Sequence, residues 1–225
     1  MKISVICAME EEIKLLSGKM QNVKKQTLRG VEITNGLIGA HEVNLCISGV
    51  GKVNAAATTQ LNISELNCDI ILNIGLAGNC SRLNLGGAVV ADKLVYHDYK
   101  MIWAAESAPF TEFFTPDKAL SDKARAALEK LSVEHIDGTV ASGDQFIEDS
   151  AVKADIITRT GCKCVEMEGA AIAHIAQKNA VPYAIIKVIS DNADEGGIDG
   201  FHETISLGGY CEKSSRIIAE LVSSL

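Results

Sequence analysis

The sequence has few prolines, no excess of basic residues and no apolar run long enough to cross a membrane. Only 3 of its 225 residues are proline, so little room is left for a disordered linker. The net charge of -8 argues against a nucleic-acid scaffold, which needs a basic stripe. The apolar start over residues 1–7 is too short for a signal peptide. We therefore expect one cytoplasmic domain over residues 1–225, with no nucleic-acid or membrane partner.

The cysteines do not follow the spacing of a metal site. The chain has 7 of them, and in a cytosolic protein they are expected to be reduced core thiols. Cys162 and Cys164 form the only close pair, and no second Cys or His pair follows at the spacing of zinc ligands. No metal is therefore expected.

Strand and helix signals alternate through much of the chain. The predicted strands cover residues 2–7, 31–37, 40–48, 70–74, 88–96, 135–141, 163–165 and 183–189. The predicted helices cover residues 9–18, about 51–65, 168–179 and 203–224, with further helix starts at Thr115-Pro116 and Asp149-Ser150. Asn35-Gly36 is a turn signal near the second strand. The pattern predicts an α/β fold with a mixed, largely parallel central sheet flanked by helices.

Residues 97–115 are predicted to be a long irregular segment. A loop of this length in a compact domain is usually functional or disordered. Its aromatic side chains, which favour a packed lid or an interface, are Trp103, Phe110, Phe113 and Phe114.

Acidic residues follow three of the predicted strands. Glu10-Glu11-Glu12 comes after the first strand, Glu166 and Glu168 come after residues 163–165, and Asp191 follows residues 183–189. Ligands of α/β proteins bind outside the carboxyl ends of the strands, so these acids can converge on one pocket. That pattern indicates acid–base chemistry on a small molecule.

Each acid also has an ordinary structural interpretation. Glu10–Glu12 can be an exposed first helical turn, although Glu12 shares a helical face with apolar neighbours and can turn inward. Glu166 and Glu168 can complement a helix N-terminus, and Asp191 can be a helix cap whose carboxylate is oriented by Ser190.

Two loops are further candidates. Gly49-Val50-Gly51-Lys52 opens a helix and can cradle an anion, or it can be a tight turn. It is neither a dinucleotide fingerprint nor a P-loop. The segment 142–147 can be an ordinary turn with a core Phe146, or it can present a ring face to a flat heterocycle. His97 can be catalytic, although a structural residue at a strand end is the favoured interpretation.

Five motifs occur in a characteristic order. They are Ala8-Met9-Glu10-Glu11-Glu12, Ser48-Gly49-Val50-Gly51-Lys52-Val53, Ser142-Gly143-Asp144 with Phe146-Ile147, Val165-Glu166-Met167-Glu168, and Ile189-Ser190-Asp191. Together they resemble the methylthioadenosine/S-adenosylhomocysteine nucleosidases of the purine nucleoside phosphorylase superfamily, more weakly over 98–115 and after 203. The resemblance implies a nucleoside phosphorylase-like fold, a homodimer without a cofactor, and hydrolysis of the N-glycosidic bond of 5′-thio-substituted adenosines.

The resemblance also implies roles for individual residues. Asp191 would protonate N7 of the departing adenine, and Glu12 would activate the attacking water. Glu168 would bind the ribose hydroxyls, while Phe146 would stack on the base. The other residues expected to contact the substrate are Met9, Val50, Leu76, Ile147, Glu166, Met167, Ser190 and Phe201.

Three features depart from the family pattern. Leu76 stands where these enzymes usually carry a smaller residue, often Ser, and Lys187 stands where many carry Arg. The segment 98–115 does not match. The alternatives left open are a purine nucleoside phosphorylase, for which Arg29, Arg82, Lys52 and Lys187 are the available cations, a futalosine-type nucleoside hydrolase, and a non-catalytic binding or storage protein.

Overall fold

The computed structural model describes residues 1–199, 201 and 209–225. Within these residues nine strands form one sheet. The strands are β1 Lys2–Cys7, β2 Gln21–Leu28, β3 Val31–Ile38, β4 His41–Ile47, β5 Ile70–Asn79, β6 Ala88–Tyr96, β7 His135–Ser142, β8 Cys164–Glu166 and β9 Tyr183–Asp191. The helices around it are a 3-10 turn Glu10–Glu12 and α1 Lys14–Ser17, α2 Lys52–Ser64, α3 Met101–Ala105, α4 Lys118–Lys130, α5 Ser150–Thr160, α6 Gly169–Lys178 and α7 Gly209–Ser223. No helix in the described part of the chain has the length and apolar character of a membrane span.

The sheet closes on itself at one side. Its strand order is β2-β3-β4-β1-β5-β8-β7-β6-β9, and β9 also pairs with β5, so the last five strands form a ring. The pairs β1–β4, β1–β5, β5–β9, β6–β7 and β7–β8 are parallel. The pairs β2–β3, β3–β4, β5–β8 and β6–β9 are antiparallel. The predicted α/β fold with a mixed, largely parallel sheet is confirmed.

Helices cover both faces of the central strands. Alternate residues of β5 face opposite cores: Ile70, Leu72 and Ile74 pack with α4 and α7, while Ile71 packs with α2 and α6. Strands buried on both faces read as continuous apolar runs rather than as alternating ones. That explains why β5 and β9 are so clear in the sequence, although both extend beyond their predicted ends.

Three local predictions are wrong. The helix predicted over 9–18 is broken at Ile13 into the 3-10 turn and α1. Asn35 and Gly36 lie inside β3, where a Cβ at residue 36 would come within 2.9 Å of Met20 Cε, so close packing rather than a turn requires this glycine. Helix α4 is capped by Asp117, whose side chain accepts a hydrogen bond from the backbone N of Leu120 at 2.9 Å, and not by Thr115.

The 97–115 segment has more structure than predicted. It contains α3, and Phe114 is fully buried and pairs with Leu94 through two backbone hydrogen bonds of 2.9 Å. The helix start predicted at Asp149-Ser150 is confirmed: α5 begins at Ser150, and the side chain of Asp149 caps it. In the tail, α7 is confirmed over 209–223, and the predicted part at 203–208 lies outside the described residues.

Candidate active site

A cavity with an empty volume of about 580 Å³ lies at the carboxyl ends of the central strands. It is lined by Ala8, Met9, Glu12, Val50, Leu76, Ala77, Gly78, Gln145, Phe146, Ile147, Val165, Glu166, Met167, Glu168, Ser190, Asp191 and Phe201. All twelve site residues that the sequence predicts line this one cavity, and their contact with a substrate stays a prediction. The other five lining residues carry no ionisable side chain, and each lies within two residues of a predicted one in the sequence; they are Ala8, Ala77, Gly78, Gln145 and Val165.

Glu12 is buried because the turn after β1 directs it inward. Its Oε2 accepts hydrogen bonds from the backbone N of Ala8 and of Met9, both at 3.1 Å, and its Oε1 accepts one from Leu76 N at 3.0 Å. Burial raises the pKa of Glu12 above its usual range, while the charge of Lys187 and these amides act in the opposite direction. Glu12 is therefore a fixed carboxylate with the higher proton affinity that a general base needs.

Glu166 and Lys187 form a buried ion pair between β8 and β9. The Lys187 Nζ lies 2.7 Å from Glu166 Oε2, and the side chains are 1 % and 2 % exposed. Burial raises the pKa of Glu166, but the charge and hydrogen bond of Lys187 outweigh it, with help from Ser142 and a backbone amide, and hold that pKa below its usual range. Burial alone would lower the pKa of Lys187, yet the surrounding carboxylates, Glu166 foremost, raise it. The pair therefore remains charged.

Glu168 lies at the N-terminal end of α6 and faces α2. Its Oε1 accepts a hydrogen bond from Gly51 N at 2.8 Å. Burial and the nearby charge of Glu166 raise the pKa of Glu168 to about 7. The group consequently changes charge near neutral pH.

Asp191 ends β9 on the opposite side of the cavity. Its Oδ2 accepts a hydrogen bond from Ser190 Oγ at 2.7 Å, and its Oδ1 accepts one from Ala193 N at 2.8 Å. Burial raises the pKa of Asp191 above its usual range despite these two bonds. A carboxyl group in this state can carry a proton to a ligand.

Two aromatic rings stand beside Asp191. Phe146 and Phe201 make an edge-to-face contact with centroids 5.5 Å apart. Ile147 is buried in the same wall, and its carbonyl oxygen and the Phe146 ring both pack against Gly197. This wall has the apolar surfaces and backbone groups that suit a flat heterocycle.

The start of α2 is occupied by carboxylates of the chain itself. Gly51 N donates to Glu168, and Lys52 N donates to Asp144 Oδ1 at 2.8 Å. The sequence left open whether this loop cradles an anion, and here the anions bound to these two amides are side chains.

His97 is placed as a structural residue, as its position in the sequence indicates. Its ring packs against Gly143, where a Cβ would lie 2.3 Å from the imidazole. The Nε2 atom is buried and has no hydrogen-bond partner among the described residues, and burial lowers the pKa of His97.

The two unusual residues lie on the Glu12 side of the cavity. Leu76 contributes its backbone N to Glu12, while its side chain joins the core formed with α7. Lys187 is bound to Glu166, and its charge also acts on Glu12 and Glu168. Both departures therefore concern the carboxylate cluster and not the aromatic wall.

Comparison with known proteins agrees with this geometry. The family model of the phosphorylase superfamily matches residues 2–223. Among solved structures, the 5′-methylthioadenosine/S-adenosylhomocysteine nucleosidase of Neisseria meningitidis, in complex with methylthio-immucillin-A, is 32 % identical with a TM-score of 0.93, and the match covers 100 % of this chain and 99 % of that one.

Two further solved structures are similar over their whole length. The S-adenosylhomocysteine nucleosidase of Streptococcus pyogenes is 30 % identical with a TM-score of 0.93, covering 100 % of this chain and 97 % of that one. A futalosine hydrolase mutant of Helicobacter pylori is 28 % identical with a TM-score of 0.91, covering 100 % and 99 %. The resemblance seen in the motifs is thereby confirmed: the chain belongs to the phosphorylase superfamily and, within it, to the family of methylthioadenosine/S-adenosylhomocysteine nucleosidases.

Proposed function

We propose that this protein hydrolyses the N-glycosidic bond of 5′-thio-substituted adenosines, 5′-methylthioadenosine and S-adenosylhomocysteine, to adenine and the thioribose. The observation that carries the proposal is the meeting of Glu12, Glu168 and Asp191 in one cavity, although more than 150 residues of sequence separate Glu12 from the other two. Similarity to nucleosidases over the whole chain supports it.

Asp191 is assigned as the general acid. The departing adenine gains negative charge as the bond breaks, and protonation at N7 neutralises it. Because burial raises the pKa of Asp191, the proton is available at a higher pH than for an exposed carboxyl. Ser190 Oγ fixes the carboxyl group by donating to its Oδ2. Phe146 and the backbone of Ile147 would hold the base beside it.

Glu12 is assigned as the general base that activates water. The three backbone amides fix its carboxylate, and the charge of Lys187 opposes the rise in pKa that burial produces. These contacts favour the ionised form of Glu12, which is the form that accepts a proton from water.

Glu168 is assigned to the ribose hydroxyls. Glycoside hydrolysis passes through an oxocarbenium-like transition state, which places positive charge on the sugar. A carboxylate fixed by Gly51 N stabilises that charge without reorganising. Met167 would pack on the ribose, and Met9, Val50 and Phe201 would surround the 5′ group.

The available cations favour water over phosphate as the nucleophile, because three of the four are paired with carboxylates. Lys187 is bound to Glu166, Lys52 to Asp98, and Arg29 to Glu65. Gly51 N and Lys52 N, which could have bound phosphate, are bound to carboxylates. A phosphate beside Glu12 would meet a second negative charge.

The test is incubation of the protein with methylthioadenosine, S-adenosylhomocysteine, futalosine and inosine, each with and without phosphate, followed by mass spectrometry. Free adenine and an unphosphorylated thioribose are expected from the first two. A phosphorylated sugar would identify a phosphorylase. Turnover of futalosine alone would identify a futalosine hydrolase, like the similar protein of Helicobacter pylori. Adenine binding without release of base would identify a binding protein.

A homodimer and a cytoplasmic location are part of the proposal. The 97–115 segment exposes a group of large apolar side chains, which a second copy of the chain could cover: Tyr99, Ile102, Trp103, Phe110 and Phe113. Sedimentation at the single-chain mass of 23.9 kDa at micromolar concentration would refute the dimer. All seven cysteines are free thiols, which agrees with a reducing compartment.

A further inference from the structure

Three charged residues outside the cavity connect its two walls. Lys52 begins α2, Asp98 follows β6, and Asp144 follows β7. Both carboxylate oxygens of Asp98 accept from Lys52 Nζ at 2.6 Å, and Asp98 Oδ2 also accepts from Asp144 N at 2.8 Å. Asp144 Oδ1 accepts from Lys52 N at 2.8 Å. We call these residues the bridging cluster.

Two of the hydrogen bonds in the bridging cluster hold backbone amides in place, not only side chains. Asp98 holds the amide of Asp144, and Asp144 holds the amide of Lys52. Hydrogen bonds that backbone amides donate to carboxylates are about twice as strong as those between neutral groups. The cluster therefore fixes how the loop after β7 lies against the start of α2.

Each side of the bridging cluster leads directly to a residue of the proposed site. Gly51, which precedes Lys52, donates its N–H to Glu168, the proposed ribose ligand. Asp144 lies two residues before Phe146, the proposed base-stacking ring. The loop and the helix also approach closely at Gly51, whose φ is +100° and where a Cβ would lie 3.1 Å from Asp144 Oδ1.

The charges of the cluster suit a role in positioning. Partial burial raises the pKa of Asp98, but the hydrogen bonds from Lys52 and the Asp144 amide outweigh it and hold that pKa below its usual range. Asp98 is therefore ionised near neutral pH. The three side chains are 21 %, 26 % and 49 % exposed, so they contribute little to global stability.

We propose that Asp98 is a positioning residue that, together with Lys52, sets the separation between the base-binding loop 142–147 and the Gly51–Glu168 contact. This inference rests on the proposed function, because it treats the two walls as the base and ribose sites. The cluster acts on affinity for the nucleoside and for adenine more than on the bond-breaking step, since none of its three residues is among the described residues that line the cavity.

The test compares Asp98→Asn, Lys52→Gln and the double variant with wild type. We expect Asp98→Asn to raise KM for methylthioadenosine and Kd for adenine about tenfold, the usual order for a lost hydrogen bond to a charged group, with a smaller change in kcat. The double variant should lose less than the product of the two single effects, because both remove the same contact. Adenine affinity is measured by calorimetry and needs no turnover.

Controls come from the exposed ion pair of Lys118 and Asp122 on α4. Asp122→Asn and Lys118→Gln make the same chemical changes far from the cavity and should leave KM and Kd unchanged. The proposal is overturned if Asp98→Asn and Lys52→Gln keep both constants within about twofold of wild type, or if only kcat falls. If wild type releases no adenine, the proposed function fails instead, and the adenine affinities of the variants still decide the role of Asp98.

Discussion

Glu166 and Asp191 are both buried acids at strand ends on the same cavity, yet their pKa values move in opposite directions. Glu166 has Lys187 Nζ at 2.7 Å, and its pKa is lowered. Asp191 is hydrogen bonded by Ser190 and Ala193 N, and burial raises its pKa. Neutral donors are too weak to offset desolvation at this position, whereas a buried ammonium ion is strong enough.

This difference divides the cavity into two ends. At one end the charge of Lys187 acts on three carboxylates, and it outweighs the effect of burial for Glu166 but not for Glu12 or Glu168. At the other end burial raises the pKa of Asp191 beside an aromatic wall. The first end can hold a nucleophile and a cationic sugar, and the second can deliver a proton to a base.

The sharpest test of the acid end is Asp191→Asn. The amide cannot donate the proton, so we expect turnover of methylthioadenosine to fall about a hundred- to ten-thousand-fold, the usual contribution of general acid catalysis. Adenine release measured with saturating substrate gives kcat. Wild-type rates would remove Asp191 from the mechanism.

The same variant should remain stable. A group whose pKa is raised by folding destabilises the folded state once it ionises, because its stability contribution is lost as the pH rises through the folded pKa. A neutral amide removes that penalty, so the free energy of unfolding at neutral pH should be unchanged or higher. The matched control, Asp122→Asn on the exposed face of α4 and outside the cavity lining, should keep its turnover.

Substitution at the lysine end of the cavity should lower the free energy of unfolding, unlike Asp191→Asn. Lys187→Met leaves Glu166 buried without its counter-ion, so we expect a loss of about 3–5 kcal/mol in the free energy of unfolding, measured by urea denaturation. Adding Glu166→Gln removes the unpaired charge and should recover part of that loss. A single variant as stable as wild type would show that the pair is dispensable for folding.

The pH profile tests the pKa of Glu168. Because burial and Glu166 raise it to about 7, kcat/KM should fall as the pH is lowered through about 7, where the ribose ligand becomes neutral. Residual activity of Glu168→Gln should lack this limb. A wild-type profile flat down to the usual range of a glutamate would contradict the role.

The free energy of unfolding should also depend on the ionisation of Glu168, but it should rise as the pH is lowered, whereas kcat/KM falls. The contribution of Glu168 is full below the ordinary value of 4.5 and is lost as the pH rises to about 7. Urea denaturation of wild type and of Glu168→Gln over this range isolates the contribution.

The smallest effect on turnover is expected for Leu76→Ser. The backbone N that Leu76 donates to Glu12 is kept, so kcat should change less than tenfold. The lost buried side chain should lower the free energy of unfolding by about 2–5 kcal/mol. Leu83→Ser, at a buried leucine outside the cavity lining, is the matched control for stability. A large gain in kcat would show that Leu76 impairs the nucleophile.

Much of the fold could be predicted because its central strands are buried on both faces. The edge strand β2 was missed because Gln21–Thr27 is exposed and carries no apolar alternation. Asn35-Gly36 gave a turn signal where glycine is needed for packing against Met20. Local patterns record propensity, and here tertiary contacts overrode it.

The sequence predicts the residues of the candidate site but not the contacts that hold them in place. Reactive residues within motifs can be identified in a sequence, and all twelve line the cavity. The ion pair of Lys187 with Glu166 and the bonds of Asp98 join segments that are distant in sequence, and no spacing rule indicates them. In the sequence, Lys187 stands out only as a departure from the family pattern, and nothing indicates a role for Asp98.

The closed ring of β5, β8, β7, β6 and β9 has a mechanical consequence. A closed ring of paired strands has no edge strand at which unfolding can start. The strands that carry Glu166, Ser190 and Asp191 therefore cannot detach from the sheet one at a time. On heating, the cavity should therefore keep its shape until the ring of strands unfolds. The catalytic activity and the β-sheet content should be lost over the same narrow range of temperature.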